Sequence, residues 1–420
     1  MKNSKRFDTL KQTRERRKSQ VCKTFEFKID KSKLSQKTKE DLNKLFLEAK
    51  WFYNHLLSQK NIFKTKIEGL NKIKVLNKDK KFETRKLEIL PICVKREIKN
   101  KIITSIRTLF TKKKRKQKIG RLKFKSLINC VPYGWGYKIR NNGYLQLMKI
   151  KQYLKVSGSN QIPKEAEFSN ILLIRKYGDY FIKMTTFLFK EESIEYTKAI
   201  GIDFGIKTQM AFSNGIKTEF KIPVSKRIIK FQKNLSRKTK GSHNFFKNQL
   251  QLQKAYDEIN NIKKDVKNKL IHYLKNNYIV CVQNENIKAW QKFRFGKQIN
   301  ESAIGGIISG IKQIPETLVA DRFFPSTKTC YNCGHVQKVD LSERVFVCKK
   351  CSYTEDRDIN SARNILKRSF EENNESKIPA ERREFTLVEN ETSTLSMLEY
   401  LNNIPHLKAS LCLLKQEAIL

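Results

Sequence analysis

Apolar residues recur at helical spacing in the first quarter of the chain. A stripe with a period of 3.6 residues runs through residues 35–63, and residues 93–110 have the same character. These patterns predict two amphipathic helices within a helical module that covers residues 35–120. The stripe of the first helix consists of Leu42, Leu45, Phe46, Ala49, Phe52, Tyr53 and Leu56.

Alternation of apolar and polar residues predicts strands on both sides of this module. Residues 23–29 alternate, and short strands return after about residue 121, including 143–150 and 180–189. We interpret residues 1–34 and 121–192 as one β-rich domain that the helical module interrupts.

The second half of the chain has a different pattern. Predicted strands at 199–205 and 209–213 precede a long basic helical stretch, and a buried strand with a polar end covers 278–290. Residues 371–420 are polar and weakly patterned, so we expect a C-terminal tail.

Positive charge dominates the composition. The chain of 420 residues has 88 Lys and Arg against 41 Asp and Glu, which gives a net charge of +47. Such a charge repels itself unless phosphates neutralise it, so we expect a polyanionic partner. The densest basic run, 111–126, is either a solvated loop or a nucleic-acid contact, and nearby aromatic residues favour the contact. The candidate contact residues are Lys112, Lys113, Lys114, Arg115, Lys116, Lys118, Tyr133, Trp135 and Tyr137.

Two features of the sequence predict the compartment. No apolar run approaches the roughly 18 residues that span a bilayer, and the basic N-terminus lacks the apolar segment of a signal peptide. Five of the nine cysteines are scattered singly, which is typical of a reducing compartment. We therefore expect a cytoplasmic, nucleoid-associated protein without a membrane partner.

The other four cysteines form two C-x-x-C knuckles separated by fourteen residues. Each knuckle places two thiolates on one turn, and the two turns together complete a tetrahedral four-sulfur site for zinc. Because four protein ligands leave no open position, the zinc is predicted to be structural. The ligands are Cys330, Cys333, Cys348 and Cys351.

Acidic residues occur at otherwise apolar positions of the second half. Asp203 lies in the first predicted strand, Glu285 at the end of "YIVCVQNE" (278–285), and Asp358 at the start of a helix. Each alone has an ordinary structural interpretation, which for Asp358 is helix capping. Together they are the hard oxygen ligands that hold Mg²⁺ or Mn²⁺, and paired ions of this kind cleave phosphodiesters.

The motifs around these acids resemble those of a known family. "GIDFGIKT", "VCVQNENIKAW" and "DRDINSARNIL", with the four-cysteine ribbon directly before the third, look like the split RuvC nuclease of TnpB. TnpB proteins are transposon-encoded RNA-guided nucleases, related to the compact type V CRISPR effectors. "RFFPSTKTCYNCG" (322–334) is similar to the family's entry into the ribbon. The specific resemblance covers residues 199–367, and the N-terminal half resembles the family only in layout.

The resemblance implies a fold and a domain organisation. It implies an α/β RNase H-like (RuvC) nuclease domain at 198–325 and 354–370, with an inserted zinc ribbon at 326–353. By the same resemblance, the β-rich domain corresponds to the family's wedge domain, and the helical module corresponds to its recognition module. The implied activity is metal-dependent cleavage of target DNA in a prokaryotic cell, by a monomer or homodimer on a guide RNA.

The resemblance also assigns the site residues. Asp203, Glu285 and Asp358 take the first, second and third metal-ligand positions. Many members read E-D-L-N-I-K at the second motif, and alignment on N-I-K puts Gln283 where that glutamate stands. Gln283 and Glu285 are two apart on a predicted strand and so face the same side. Since the family also contains a Q-[DN]-E variant, we assign Glu285.

Two other functions fit parts of the sequence. One is an RNA-guided DNA-binding repressor that does not cleave, and the other is a transposase that uses three acids without RNA. The presence of all three acids favours the nuclease over the repressor. The position of the ribbon and the lack of a recognisable helix-turn-helix argue against the transposase.

Overall fold

The structure is a computed structural model, and its chain divides into two compact units, residues 1–192 and residues 193–420. Among the residues described, no helix is long and apolar enough to cross a membrane. The described residues are 11–77, 81–140, 143–189, 198–291, 295–340, 342–373 and 391–412.

The first unit contains a four-stranded antiparallel sheet. Strand β1 (Gln20–Lys28) pairs along its whole length with β9 (Asp179–Phe189), which also pairs with β8 (Glu167–Lys176). Strand β4 (Cys130–Tyr133) forms the other edge. The strands predicted near the two ends of this unit therefore exist and meet in one sheet.

Two long helices lie between the first strand and the rest of this sheet in the chain. They are α1 (Gln36–Ser58) and α2 (Ile92–Lys114), which confirms both predicted helices. The predicted apolar stripe of α1 is buried except for Tyr53, which is half-buried. A hairpin of β2 (Lys72–Leu76) and β3 (Phe82–Lys86) separates the helices. Helical periodicity did not predict this hairpin, because its short strands are mostly charged and exposed.

Smaller elements complete the first unit. A three-stranded antiparallel sheet consists of β5 (Tyr137–Arg140), β6 (Tyr144–Leu147) and β7 (Leu154–Lys155). Residues 11–18 are helical, and short 3₁₀ helices cover Lys31–Lys33 and Ser159–Gln161. The assignment of this unit's parts as a wedge domain and a recognition module stays a prediction.

The second unit contains a six-stranded mixed sheet with its first strand at the centre. Its strands are β10 (Ala199–Phe204), β11 (Met210–Phe212), β12 (Ile216–Phe220), β13 (Ile279–Gln283), β14 (Thr317–Ala320) and β17 (Leu407–Leu411). Their order across the sheet is β14, β13, β10, β11, β12, β17. Strands β10, β13 and β14 run parallel, whereas β11, β12 and β17 continue antiparallel from β10. The α/β character predicted for this half is confirmed.

Helices cover both faces of this sheet. They are α3 (Lys226–Ser236), α4 (His243–Asn277), α5 (Ile287–Trp290), α6 (Gly296–Ser302), α7 (Ile304–Ile311), α8 (Arg357–Asn373) and α9 (Glu391–Asn402). Along β10, Ile200 and Ile202 belong to one core with α4, α7 and α9, whereas Ala199 belongs to a second core with α8. Asp203 continues the odd-numbered series, so alternation places it on the α8 side of the sheet.

Helix α8 approaches strand β10 closely at Gly201. A Cβ atom at this position would lie 2.1 Å from the carbonyl oxygen of Ala362 and 2.8 Å from Cβ of Leu366. Both distances are shorter than real Cβ contacts, and the first involves backbone. Glycine is therefore required here so that α8 can lie directly against the strand that carries Asp203.

The region predicted as a C-terminal tail contains two elements of the second unit. Helix α9 buries Met397 and Leu401 in the core, and β17 pairs with β12 as the edge strand of the sheet. Helix α8 also continues to Asn373, beyond the predicted boundary. Strand β17 alternates between apolar and polar residues, but it is only five residues long and lies within a mostly polar segment, so it was not predicted.

We predict that Gly201→Ala destabilises the second unit by about 1–3 kcal/mol or more, because the added methyl group overlaps the backbone of α8. The matched control is Gly306→Ala on α7, where the nearest atom to a new Cβ is Cδ of Lys267 at 3.9 Å. Denaturant unfolding compares the two variants with the wild type. Equal stability of both variants would contradict the close packing of α8 on β10.

Candidate active site

The three predicted acids lie on elements that meet at one edge of the second sheet. Asp203 is near the end of β10, Glu285 follows the end of β13, and Asp358 is the second residue of α8. Because β10 and β13 are parallel neighbours, their carboxyl ends lie at the same edge. Helix α8 packs against β10 and brings its first turn to this edge.

The charges of Asp358 and Glu285 act on Asp203, although among the described residues only the four cysteines lie close enough together to hold one metal ion. Burial, followed by the negative charges of Asp358 and Glu285, raises the pKa of Asp203 to about 8. A hydrogen bond with Ser361 and the charge of Arg357 act in the opposite direction but do not outweigh them. The structure therefore brings all three candidate ligands into one electrostatic cluster.

The first turn of α8 explains how Asp358 stays available to this cluster. Asp356 precedes the helix, and its Oδ1 accepts hydrogen bonds from the backbone N–H groups of Asp358 (2.9 Å) and Ile359 (3.2 Å). Asp356 therefore caps the helix. The alternative that Asp358 is only the capping residue is wrong, because its neighbour two positions earlier fills that role.

Two cations that the sequence analysis did not identify contact these aspartates. Nζ of Lys217, on β12, lies 2.6 Å from Oδ2 of Asp356 and 3.5 Å from Oδ2 of Asp358. Arg357 contributes a guanidinium nitrogen 3.4 Å from Oδ1 of Asp358. Nothing in the local pattern distinguishes Lys217 from the chain's many other lysines. Its role follows only from the pairing of β12 in the sheet.

Glu285 lies just beyond the strand rather than on it. Strand β13 ends at Gln283, and the N–H of Glu285 donates to the carbonyl of Gln283 at 2.9 Å, which forms a tight turn. The argument that the two residues alternate along one strand is therefore wrong. Burial raises the pKa of Glu285, and the positive charges of Lys312 and Arg322 oppose this shift.

Gln283 is fully occupied by another task. Its Nε2 donates to the carbonyl oxygens of Asp321 (2.9 Å), Arg322 (3.2 Å) and Phe324 (2.8 Å). Its Oε1 accepts a hydrogen bond from Ser326 at 3.1 Å. The buried amide thus fixes the turn after β14, and these contacts favour Glu285 over Gln283 as the second ligand.

A buried chain of hydroxyl groups connects this amide to Asp203. The hydroxyl of Ser361, on α8, donates to that of Ser326 at 3.0 Å, and Ser361 lies near enough to Asp203 to act on the pKa of that acid. Gln283, Ser326 and Ser361 are all buried. These contacts join β13, the turn, α8 and β10 behind the acids and restrict the orientation of the Asp203 carboxyl group.

The four cysteines meet in a small separate core. Their sulfur atoms all lie within 4.8 Å of one another, and the pairs Cys330–Cys351 and Cys333–Cys348 are each 3.6 Å apart. A tetrahedral zinc with Zn–S bonds of about 2.3 Å needs sulfurs about 3.8 Å apart. The cluster thus fits a four-sulfur zinc site. The hairpin of β15 (Val345–Val347) and β16 (Thr354–Asp356) links it to α8.

Two buried asparagines of α8 hold the entry into this ribbon. Asn364 donates to the carbonyl oxygens of Ser326 (2.9 Å) and Thr329 (2.6 Å). Asn360 donates to Thr329 at 2.8 Å and accepts from the N–H of Tyr331 at 3.0 Å. The ribbon therefore rests on the same helix that presents Asp358.

The predicted nucleic-acid contacts divide into exposed and buried residues. The basic residues from Lys112 to Lys118 are exposed at and after the end of α2, and Trp135 is 45% exposed. Tyr133 is fully buried on β4, so its ring is not available for base stacking and this part of the prediction is wrong. Tyr137 is half-buried and donates to the carbonyl of Ser169 at 3.3 Å. Phe124, one of the aromatic residues near the basic run, is exposed, and so is Phe110, which was not predicted as a contact.

Comparisons with known proteins agree with the motifs. Residues 182–288 match the family model OrfB_IS605, described as "Probable transposase", and residues 315–365 match the model "Cas12f1-like, TNB domain". A Streptomyces pristinaespiralis protein named "Putative RNA-guided DNA endonuclease" is 30% identical over 54% of this chain. The resemblance to TnpB-like proteins is confirmed. The TnpB-like protein L79 of Acanthamoeba polyphaga mimivirus is also 30% identical, over 37% of this chain and 31% of its own length.

These matches cover part of each relative. The chain spans 59% of the Streptomyces protein. It spans 64% of "Putative RNA-guided DNA endonuclease InsQ" of Escherichia coli (strain K12), to which it is 25% identical over 56% of its own length. The two TnpB-like family models include Asp203, Glu285, the four cysteines and Asp358.

We predict that the stability of the protein without added divalent ions depends on pH through Asp203. Since its pKa is about 8 in the folded chain and about 3.9 in an unfolded one, the folded chain holds an extra proton between these values. The contribution of Asp203 to stability is therefore greatest below about pH 4 and is lost as the pH rises toward 8, by at most about 1.4 kcal/mol per pH unit.

Urea unfolding at pH 5 to 8 of the wild type and of Asp203→Asn measures this effect. The variant lacks the titrating group, so its stability relative to the wild type should increase with pH. A constant difference across this range would mean that the pKa of Asp203 is not raised by burial and by the charges of Asp358 and Glu285.

Proposed function

We propose that the chain is an RNA-guided DNA endonuclease that cleaves phosphodiester bonds with Mg²⁺ or Mn²⁺ held by Asp203, Glu285 and Asp358. The observation that carries this proposal is the placement of three carboxylates at one sheet edge, where the charges of Asp358 and Glu285 oppose ionisation of Asp203. The names of the TnpB-like relatives support the choice of DNA as substrate and RNA as guide. The α/β sheet and the cysteine ribbon support an RNase H-like (RuvC) nuclease domain.

The three carboxylates supply the hard oxygen donors that Mg²⁺ and Mn²⁺ prefer. Bound divalent ions would stabilise the attacking and leaving oxygens during displacement at phosphorus. Asp203 would lose its proton when it binds a cation, and Ser361 lies beside it. Lys217 and Arg357 lie beside Asp358 at the sheet edge, and Lys217 also contacts the helix cap Asp356.

The cysteine ribbon has a structural part in this proposal. Four sulfur ligands leave no open position on a zinc ion, so chemistry at that site is excluded. The zinc would instead fix the ribbon, which Asn360 and Asn364 attach to α8. Helix α8 in turn holds Asp358 in place.

Guide RNA is the proposed partner of the exposed basic segment. Residues 112–118 form the last residues of α2 and the segment directly after it, and exposed aromatic rings lie nearby in sequence at Phe110, Phe124 and Trp135. Phosphate neutralisation and base stacking together are the usual means of binding single-stranded nucleic acid. Target DNA would pair with the guide and reach the acids of the second unit.

We predict that Asp203→Ala, Glu285→Ala and Asp358→Ala each reduce metal-dependent cleavage to background while DNA binding persists. Each acid is expected to bind the ions rather than the DNA. The control Asp265→Ala removes an exposed carboxylate of α4 that pairs with Lys269, and it should cleave at the wild-type rate. Cleavage is measured on DNA that matches the RNA bound by the purified protein.

The second motif gives the most discriminating comparison within this set. Gln283→Ala should unfold more easily, because three carbonyl groups lose their donor, yet it should retain cleavage. Glu285→Ala should keep its stability and lose cleavage. The reverse result would mean that Glu285 has been wrongly assigned as the second metal ligand in place of Gln283. A wild type that binds its target but never cuts would favour the repressor.

We predict that the purified protein carries RNA and binds it with a strong dependence on salt. Changing Lys112, Lys113 and Lys114 together to Gln should reduce the slope of log K against log salt by about 2, since each phosphate contact to a single strand contributes about 0.7. Trp135→Ala should weaken binding without changing the slope, and Tyr133→Phe should change neither. A protein without bound RNA, or with salt-independent affinity, would support the RNA-independent transposase.

A further inference from the structure

An open groove adjoins the acid cluster at Glu285. It has a volume of about 490 Å³, within the range of ligand-binding clefts, and lies between the turn into α5 and helix α7. Glu285 lines one end, so the groove is continuous with the proposed metal site. The other residues used below are Ile287, Lys288, Ile308, Ser309 and Lys312, all of which line it.

The groove combines an apolar floor with positive charge. Ile308 is buried and Ile287 half-buried, whereas Lys288 and Ser309 are exposed. An apolar surface flanked by ammonium groups is complementary to a sugar–phosphate backbone, whose sugars are largely apolar and whose phosphates are anionic.

Lys312 is held in position at the boundary between the groove and the acids. Its Nζ donates to Oδ1 of Asn284 at 2.8 Å, and its charge acts on Glu285. Arg322 approaches the same place, where its Nε donates to the carbonyl of Asn284 at 3.1 Å. If Glu285 binds a divalent cation, its negative charge no longer balances the positive charges of Lys312 and Arg322. An anion beside the metal site would then neutralise these two side chains.

We propose that this groove binds the backbone of the DNA strand on one side of the scissile bond, with Lys312 contacting a phosphate next to the one that is cut. The inference rests on the proposed nuclease function and adds to it a defined path for the substrate. It assigns Lys312 as a substrate-positioning residue rather than a metal ligand.

The test replaces single phosphates of the cleaved strand, one position at a time on both sides of the cut, with neutral methylphosphonates. For the wild type, we expect one position adjacent to the cut to slow cleavage about tenfold, the effect of losing one charged hydrogen bond. For Lys312→Gln, cleavage of the unmodified strand should fall about tenfold, and the methylphosphonate at that position should cause less than about a twofold further loss. Lys312→Arg should keep the wild-type pattern.

Lys269→Gln is the matched control for charge. Lys269 is exposed on α4, two residues from Lys267, which is near α7, so it points away from that helix. It should show the wild-type rate and the wild-type interference pattern. Ser309→Trp, which obstructs the groove without removing a charge, should raise KM at unchanged kcat.

Three results would overturn the inference. Lys312→Gln could slow every modified strand by the same factor, which would mean that Lys312 acts through Glu285 alone. Lys312→Gln could cleave the unmodified strand as fast as the control Lys269→Gln does. Ser309→Trp could leave KM unchanged.

The same strand series measured as binding in Ca²⁺ separates this inference from the nuclease proposal. A chain that never cuts but shows the Lys312-dependent phosphate effect would retain the groove and reject the nuclease. A chain that requires the three acids to cut but shows no Lys312-dependent phosphate effect would retain the nuclease proposal and reject the groove.

Discussion

The placement of Asp203 within reach of the negative charges of Asp358 and Glu285 is the constraint on which this edge of the second unit depends. Three like charges at one edge of a buried sheet are unfavourable unless they are protonated, paired or bound to a cation. The chain uses the first two means together, through the raised pKa of Asp203 and the cations around its neighbours. Those cations are Lys217 and Arg357 beside Asp358, and Lys312 and Arg322 beside Glu285. None of them contacts Asp203 closely enough to restore its ordinary pKa, so this acid has most to gain from a divalent ion.

Helix α8 connects the acidic edge of the sheet to the rest of the unit. It can approach β10 only because position 201 lacks a side chain. Because Asp356 caps the helix, the carboxyl group of Asp358 is not used for capping. Its asparagines hold the ribbon from the opposite direction. A ribbon inserted directly before α8 is therefore well placed to fix the helix, since folding of the cysteine site would order the residues that lead into its first turn.

The parts of this architecture that depend on the local pattern of residue types could be predicted from the sequence. Strands β10 and β13 were recognisable as continuous apolar runs, which is typical of parallel strands buried on both faces, and an acid interrupting such a run is conspicuous. The cysteine spacing was equally informative. The features that could not be predicted are those that depend on neighbours in the folded structure. Tyr133 follows a basic run but faces the core, Lys217 acquires its role from strand pairing, and β17 is recognisable as a strand only beside β12.

The position of the second acid shows how one local requirement determines another. The side chain at 283 points into a turn where three carbonyl oxygens need a donor, and the amide of glutamine supplies one. A carboxylate there would have no proton to donate and would face three negative dipole ends in a buried place. The second acid of the proposed metal site must therefore come from another position in this chain. Glu285, just past the strand end, is the acid that we propose, and the turn that Gln283 fixes carries Arg322 toward it. Position 283 thus has a structural task, and the proposed ligand lies two residues further along the chain.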